Sequence, residues 1–218
     1  MNSPQSEAIS AIEAAGLVPV VELAKAEQAP TLLDALRAGG LAVIEITLRT
    51  SAALDAIMLL RSSHPEAVVG AGTVRTVEAA RRSIEAGAQF VVSPSTNIDV
   101  IDVCRSAGVP IVSGACTPTE IDTAVGAGAS LIKLFPAEAI GGIRYLKALL
   151  GPFRDVRFVP TGGINANNLA EYLRVPQVAA CGGTWIVAPH LLSQGRLEEV
   201  TRLTGEAVAI VASTRSHE

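Results

Sequence analysis

Short apolar runs rich in β-branched residues alternate with Ala-, Leu- and Glu-rich stretches along almost the whole chain. Runs of strand length fall at 18–21, 42–46, 68–72, 90–92, 110–112, 131–134, 157–160 and 178–181, eight candidate strands in all. Stretches of helical length at 31–38, 52–62, 77–86, 98–107 and 119–127 lie between them. Several end in Ala-Gly, as at Ala38-Gly39, Ala86-Gly87, Ala107-Gly108 and Ala127-Gly128, where glycine can take the left-handed conformation that closes a helix. Near-continuous apolar strands alternating with amphipathic helices predict a parallel sheet covered on its outer face. Eight such units in one short chain predict an α/β fold of one domain over 1–218, a (β/α)8 TIM barrel, with an extra helix before Gly16. The rival is an open doubly wound sheet. No GxGxxG follows the first strand, and the glycines gather after strands 3, 7 and 8, which favours the barrel.

Composition narrows the picture by exclusion. The 218 residues are 49% hydrophobic, 17% charged and 3% aromatic. Mean hydropathy is +0.41, yet no apolar run approaches the roughly 20 residues of a membrane span, so the excess is read as buried strand and no membrane partner is expected. A net charge of −4 and a pI near 5.5 leave no basic stripe, and no nucleic-acid partner is expected. The opening MNSPQSEAIS lacks the basic and apolar regions of a secretory signal, so a cytoplasmic address is expected. Cys104, Cys116 and Cys181 are odd in number and widely spaced, and His64, His190 and His217 are equally scattered. Neither set has disulfide, redox or metal-ligand spacing, and the site is read as holding no metal.

In an apolar parallel strand the informative residue is the one that breaks the pattern. Glu45 interrupts Val43-Ile44-Glu45-Ile46 and Lys133 interrupts Leu131-Ile132-Lys133-Leu134, both late in their strands, toward the mouth where barrels keep their chemistry. With a strand period of two, each can point inward. A buried pair that merely satisfies itself is the structural alternative, but such a pair is costly relative to apolar packing. Desolvation disfavours a charged lysine, and a neutral amine attacks carbonyls, so Lys133 is the candidate Schiff-base nucleophile. Lys25 and Lys147, the other two lysines, read as solvated. Glu45 ranks first as proton-transfer group, ahead of Asp102, Glu120 and Glu138. Arg49, in the loop leaving strand 2, suits bidentate binding of a carboxylate, and Thr73 after Gly70-Ala71-Gly72 can add a hydroxyl. The glycine pairs in Thr161-Gly162-Gly163 and Cys181-Gly182-Gly183-Thr184 lie where barrels bind phosphate with backbone amides. Cys116 near the mouth is read as a bystander, because no histidine stands at a matching strand end to activate it.

Together Glu45-Ile46-Thr47-Leu48-Arg49-Thr50, Gly70-Ala71-Gly72-Thr73, Ile132-Lys133-Leu134-Phe135-Pro136-Ala137-Glu138 and Pro160-Thr161-Gly162-Gly163-Ile164 resemble the 2-keto-3-deoxy-6-phosphogluconate (KDPG) aldolase / 4-hydroxy-2-oxoglutarate aldolase family over about residues 18–187. The resemblance implies a class I, metal-independent lyase with no cofactor. Lys133 would form the pyruvate Schiff base and Glu45 would move protons. Arg49 and Thr73 would hold the pyruvyl carboxylate, and Pro94 and Phe135 would line the site. Thr161, Gly162, Gly163, Gly183 and Thr184 would surround the hydroxylated chain and its phosphate. The implied substrate is a 2-oxo acid phosphosugar cleaved to pyruvate and glyceraldehyde 3-phosphate, with 4-hydroxy-2-oxoglutarate as a second substrate, and the implied assembly is a homotrimer. Thr184 stands where serine is common, and Glu22 where relatives more often carry arginine or an apolar residue. From the residues alone, a phosphate-binding isomerase or epimerase and a non-catalytic sugar-phosphate sensor stay open as alternatives.

Overall fold

The computed structural model describes residues 4–216, with side chains from residue 7 onward; Met1 to Ser3, His217 and Glu218 lie outside the described residues. Helix α1 (Pro4–Ala15) precedes a regular alternation of β1 (Leu17–Val21), α2 (Gln28–Ala38), β2 (Val43–Thr47), α3 (Ala53–Ser63), β3 (Val68–Gly72), α4 (Val77–Glu85), β4 (Phe90–Val92), α5 (Ile98–Ser106), β5 (Ile111–Ala115), α6 (Pro118–Gly126), β6 (Leu131–Leu134) and α7 (Gly142–Leu149). Then come α8 (Leu169–Leu173), β7 (Cys181–Gly183), α9 (Pro189–Ser193) and the long α10 (Leu197–Arg215). No described helix is long and apolar enough to cross a membrane.

Seven strands form one curled parallel sheet in the order β6-β5-β4-β3-β2-β1-β7. The sequence pattern predicts eight regular strands, and here the structure differs. Segment 157–161 is held by isolated bridges from Phe158 to Ile132 and to Val178, and from Thr161 to Gly182. Its backbone bonds both neighbours: Val159 N donates to Ile132 O at 2.7 Å and Ala179 N to Phe158 O at 2.9 Å. Pro160 brings no amide to this ladder, which is why the segment does not extend into a regular strand. The last strand also begins three residues later than the apolar run suggests, because pairing with β1 starts at Leu17 and Cys181. Three of the four Ala-Gly endings carry the left-handed glycine at the expected place, Gly87, Gly108 and Gly128; at the end of α2 it is Gly40, not Gly39, that turns left-handed.

The apolar residues divide into two layers. Ile44, Ile46, Val69, Val91, Ile111 and Ile132 face the helices, whereas Val18, Val43, Phe90, Val92, Val112, Leu131 and Val159 fill the inside of the curl, with Ile12 of α1 packed among them. Glu45 and Lys133 follow the second set by strand alternation, two residues beyond Val43 and Leu131. That register aims both charges into the interior.

The small residues of β3 make room for them. A Cβ on Gly70 would overlap the Phe90 ring, and one on Gly72 would overlap the Glu45 carboxylate. Glycine in a strand costs conformational entropy. Here it is the space a buried aromatic and a buried carboxylate occupy.

Candidate active site

Lys133 and Glu45 are 6% and 3% exposed. Lys133 Nζ lies 3.6 Å from Glu45 Oε1, an ion pair longer than a hydrogen bond. Glu45 Oε1 has no hydrogen-bond partner among the described residues. A buried carboxylate oxygen with spare accepting capacity is costly for the fold, and it is the arrangement a proton acceptor needs. The ammonium also lies 5.4 Å from the centre of the Phe135 ring. The other two lysines, Lys25 and Lys147, are exposed.

Above the pair opens a cavity of about 220 Å³ at the carboxyl ends of the strands, whose wall includes Arg49, Thr73, Pro94, Lys133, Phe135, Thr161, Gly162, Gly163, Gly183 and Thr184. Every expected site residue except Glu45 meets there. Glu45 instead borders a small internal void beneath, which Lys133 and Thr161 share. Lys133 is therefore the floor of one space and the roof of the other. A wider groove of about 450 Å³ between α4 and α5 is lined by Arg81, Glu85 and Asp102 on the outer surface. Size alone does not locate chemistry; the smaller cavity has the buried Lys133 for its floor, with Glu45 directly below.

The rim is positioned from β1 and β3. Thr47 Oγ1 donates to Val21 O at 2.8 Å and Thr50 Oγ1 to Leu23 O at 2.7 Å, pinning the turn that carries Arg49. Arg49 Nη1 stands 3.6 Å from Glu22 Oε2, with both side chains about half exposed. The Glu22 carboxylate thus faces the guanidinium and not the lysine. An exposed pair of this kind contributes about 0–1 kcal/mol, so an incoming carboxylate can displace it.

Thr73 has a φ of 60°. A β-branched residue in the left-handed region is strained by about 1–2 kcal/mol, and such strain gathers where a side chain must be aimed. Thr73→Gly is expected to raise the midpoint of thermal unfolding by about 1–3 °C, because relief of strain exceeds the entropy glycine adds to the unfolded chain. The same variant is expected to lose about fivefold or more in kcat/KM through the missing hydroxyl. Thermal unfolding and steady-state kinetics on one preparation check both directions.

Across the cavity, Thr161 Oγ1 donates to Val159 O at 3.2 Å. Gly162 and Gly163 both have positive φ, 99° and 84°, which turns the chain sharply at the rim. Thr184 is exposed there. Sequence reasoning missed Val20 and Ile164, which also line the cavity together with Gly182 of the second glycine pair. Strand alternation would have found Val20, two residues beyond Val18 on the inward face.

The competing acids are engaged elsewhere, and none lines the cavity. Asp102 pairs with Arg105 on α5 at 3.1 Å. Glu120 closes the capping box of α6 with Thr117, and its bond from the Cys116 amide holds its carboxyl below the usual range. Glu138 accepts from the Tyr172 hydroxyl. The Cys116 thiol lies 3.2 Å from Glu120 Oε2; that bond and burial push the thiol up, so Cys116 is held as a thiol and is a poor nucleophile.

Residues 8–203 match the family model of KDPG and KHG aldolases. A 2-dehydro-3-deoxy-phosphogluconate aldolase of Treponema pallidum is 46% identical over 201 residues, covering 92% of this chain and 96% of its own. Among solved structures, the KDPG aldolase of Legionella pneumophila, with pyruvate captured at low pH as a covalent carbinolamine intermediate, superposes with a TM-score of 0.88 at 37% identity, covering 92% of this chain and 97% of that one. The 2-keto-3-deoxy-6-phosphogluconate aldolase of Zymomonas mobilis with 3-phosphoglycerate gives 0.87 at 35% identity over 94% and 97%.

Proposed function

The chain belongs to the KDPG and KHG aldolase family, and from that premise we propose that it is a class I aldolase that cleaves 2-dehydro-3-deoxy-6-phosphogluconate to pyruvate and glyceraldehyde 3-phosphate, with 4-hydroxy-2-oxoglutarate as a second substrate. The observation that carries the proposal is the burial of Lys133 and Glu45 together at 3.6 Å under the cavity floor, with Oε1 unpartnered. The related enzyme that holds pyruvate as a carbinolamine supports the same chemistry.

In this reading Lys133 gives a proton to Glu45 and its neutral Nζ adds to C2 of the open-chain substrate, and the carbinolamine hydroxyl takes that proton back from Glu45 and leaves as water to form a cationic imine. The cationic imine draws electrons from the C3–C4 bond. The C4 hydroxyl gives its proton towards Glu45, directly or through one water, the C3–C4 bond breaks, and glyceraldehyde 3-phosphate leaves. C3 of the enamine then takes a proton back, and water releases pyruvate and the free amine. Arg49 and Thr73 hold the pyruvyl carboxylate, charge against charge. Pro94 and Phe135 wall the site. The Thr161-Gly162-Gly163 and Gly183-Thr184 rims take the hydroxylated chain and phosphate. The Lys–Glu pair shuttles protons without a metal or cofactor.

The same proposal includes one domain over 1–218 whose eight strand segments close as a (β/α)8 barrel, with α1 as its extra helix and segment 157–161 as its seventh strand. It includes a homotrimer in the cytoplasm as the working form, which light scattering tests. Intact-mass analysis after incubation with pyruvate and borohydride, followed by peptide mapping, tests the chemistry. An adduct on Lys133 is expected. A folded protein with no adduct would sink the aldolase reading and leave the isomerase or epimerase and sensor alternatives, neither of which forms an imine.

A further inference from the structure

The loop that follows the lysine strand carries a carboxylate the reaction does not use. Glu138 comes five residues after Lys133, and its backbone is laced to the glycine turn opposite: Ala137 N donates to Thr161 O at 2.8 Å and Glu138 N to Gly162 O at 3.0 Å. Its side chain runs behind that turn. A Cβ on Gly163 would come within 2.5 Å of Glu138 Cγ, and a Cβ on Gly142 within 2.9 Å of Glu138 Oε1 and 3.4 Å of the Tyr172 hydroxyl. Both glycines have positive φ, so each position is closed to a side chain by space and by backbone alike.

Glu138 Oε1 accepts the hydroxyl of Tyr172 on α8, the helix that follows the glycine turn. Tyr172 is 1% exposed, and its hydroxyl makes its bond to Glu138. Burial first, then this bond, push the phenol up, so it stays a donor across the working range. A carboxylate free to move behind an anion-binding turn would be drawn to the turn's amides and would repel the anion they are meant to hold.

Resting on the aldolase reading above, we propose that Glu138 and Tyr172 are positioning residues that lock the Gly162-Gly163 turn to the lysine loop, and so set affinity for the phosphorylated end of the substrate without touching the Schiff-base chemistry. The pair joins the two loops that grip opposite ends of one substrate.

Two quantities separate this role from a general structural one. The KM for 2-dehydro-3-deoxy-6-phosphogluconate depends on the turn; the pyruvate concentration that half-saturates borohydride trapping on Lys133 does not, since pyruvate carries no phosphate. Tyr172→Phe keeps the ring and releases the carboxylate. It is expected to raise the KM about tenfold, the worth of a hydrogen bond to a charged group, with kcat and the pyruvate half-saturation unchanged. Glu138→Gln keeps the acceptor and removes the charge, so its KM is expected at or below that of the parent. Glu138→Ala removes both, and the Ala-to-Gln ratio isolates the hydrogen bond even if Tyr172→Phe fails to fold.

An unchanged KM in Tyr172→Phe, or a KM and pyruvate half-saturation that shift together, overturns the proposal. So does equal behaviour of Glu138→Ala and Glu138→Gln. In each case the adduct on the parent protein still stands for the aldolase reading; loss of that adduct overturns both.

Discussion

Lys133→Ala is expected to lower kcat/KM for cleavage by about 10⁴-fold or more and to abolish the borohydride-trapped pyruvate adduct, because no binding interaction replaces a covalent nucleophile. The other two lysines cannot substitute, since Lys25 and Lys147 are exposed and neither lines the cavity. The variant also leaves Glu45 buried without its cation, and breaking a buried pair costs about 3–5 kcal/mol. Lost activity could then be lost fold. Lys133→Arg separates the two: it keeps a cation beside Glu45 but is not deprotonated in a protein, so it cannot form the imine. Both variants are expected to be inactive, with Lys133→Arg unfolding at the higher temperature. Circular dichroism melts alongside a pyruvate-release assay check this, and substantial cleavage by either variant sinks the Schiff-base assignment.

How much of this was legible before the structure follows from what a one-dimensional pattern can hold. Two charges inside apolar β-branched runs announced the interior pair, because burial of a charge is expensive and strand alternation fixes which face it takes. The rim residues Arg49 and Thr73 were found by their place just after strands, whereas Thr161 and Thr184 came from the family resemblance. Three features lay outside that pattern. The absent amide of Pro160 reduced segment 157–161 to bridges, an effect local hydropathy does not register. Gly70 and Gly72 fall within the third strand run, but the pattern does not show that they vacate space for Phe90 and Glu45 from neighbouring strands. Tyr172 lies 34 residues from Glu138, and nothing in the spacing connects them until the helices are in place.

Glu45→Gln is expected to lower kcat for cleavage by about 10²- to 10⁴-fold, the range for loss of a general acid–base group. The amide nearly matches the carboxylate in shape, so it should fit beside Gly72, where a Cβ would already overlap the Glu45 carboxylate. If Glu45 served only as a counter-ion to Lys133, its loss would act on imine formation, and every imine-dependent process would fall by one common factor. If it moves protons on C3 and on the C4 hydroxyl, trapping of pyruvate should persist while proton transfer fails. Exchange of the pyruvate methyl protons in deuterated water reads the second step by itself, because it requires imine to become enamine and return. Exchange is expected to drop by the same two to four orders of magnitude as cleavage, with adduct still formed on Lys133. Equal losses in trapping, exchange and cleavage would reduce Glu45 to an electrostatic partner and pass the proton transfer to another group or to water in the void beneath the lysine. The unpartnered Oε1 at 3.6 Å from Nζ favours the first outcome: a carboxylate kept for charge alone would close on its cation to hydrogen-bond distance.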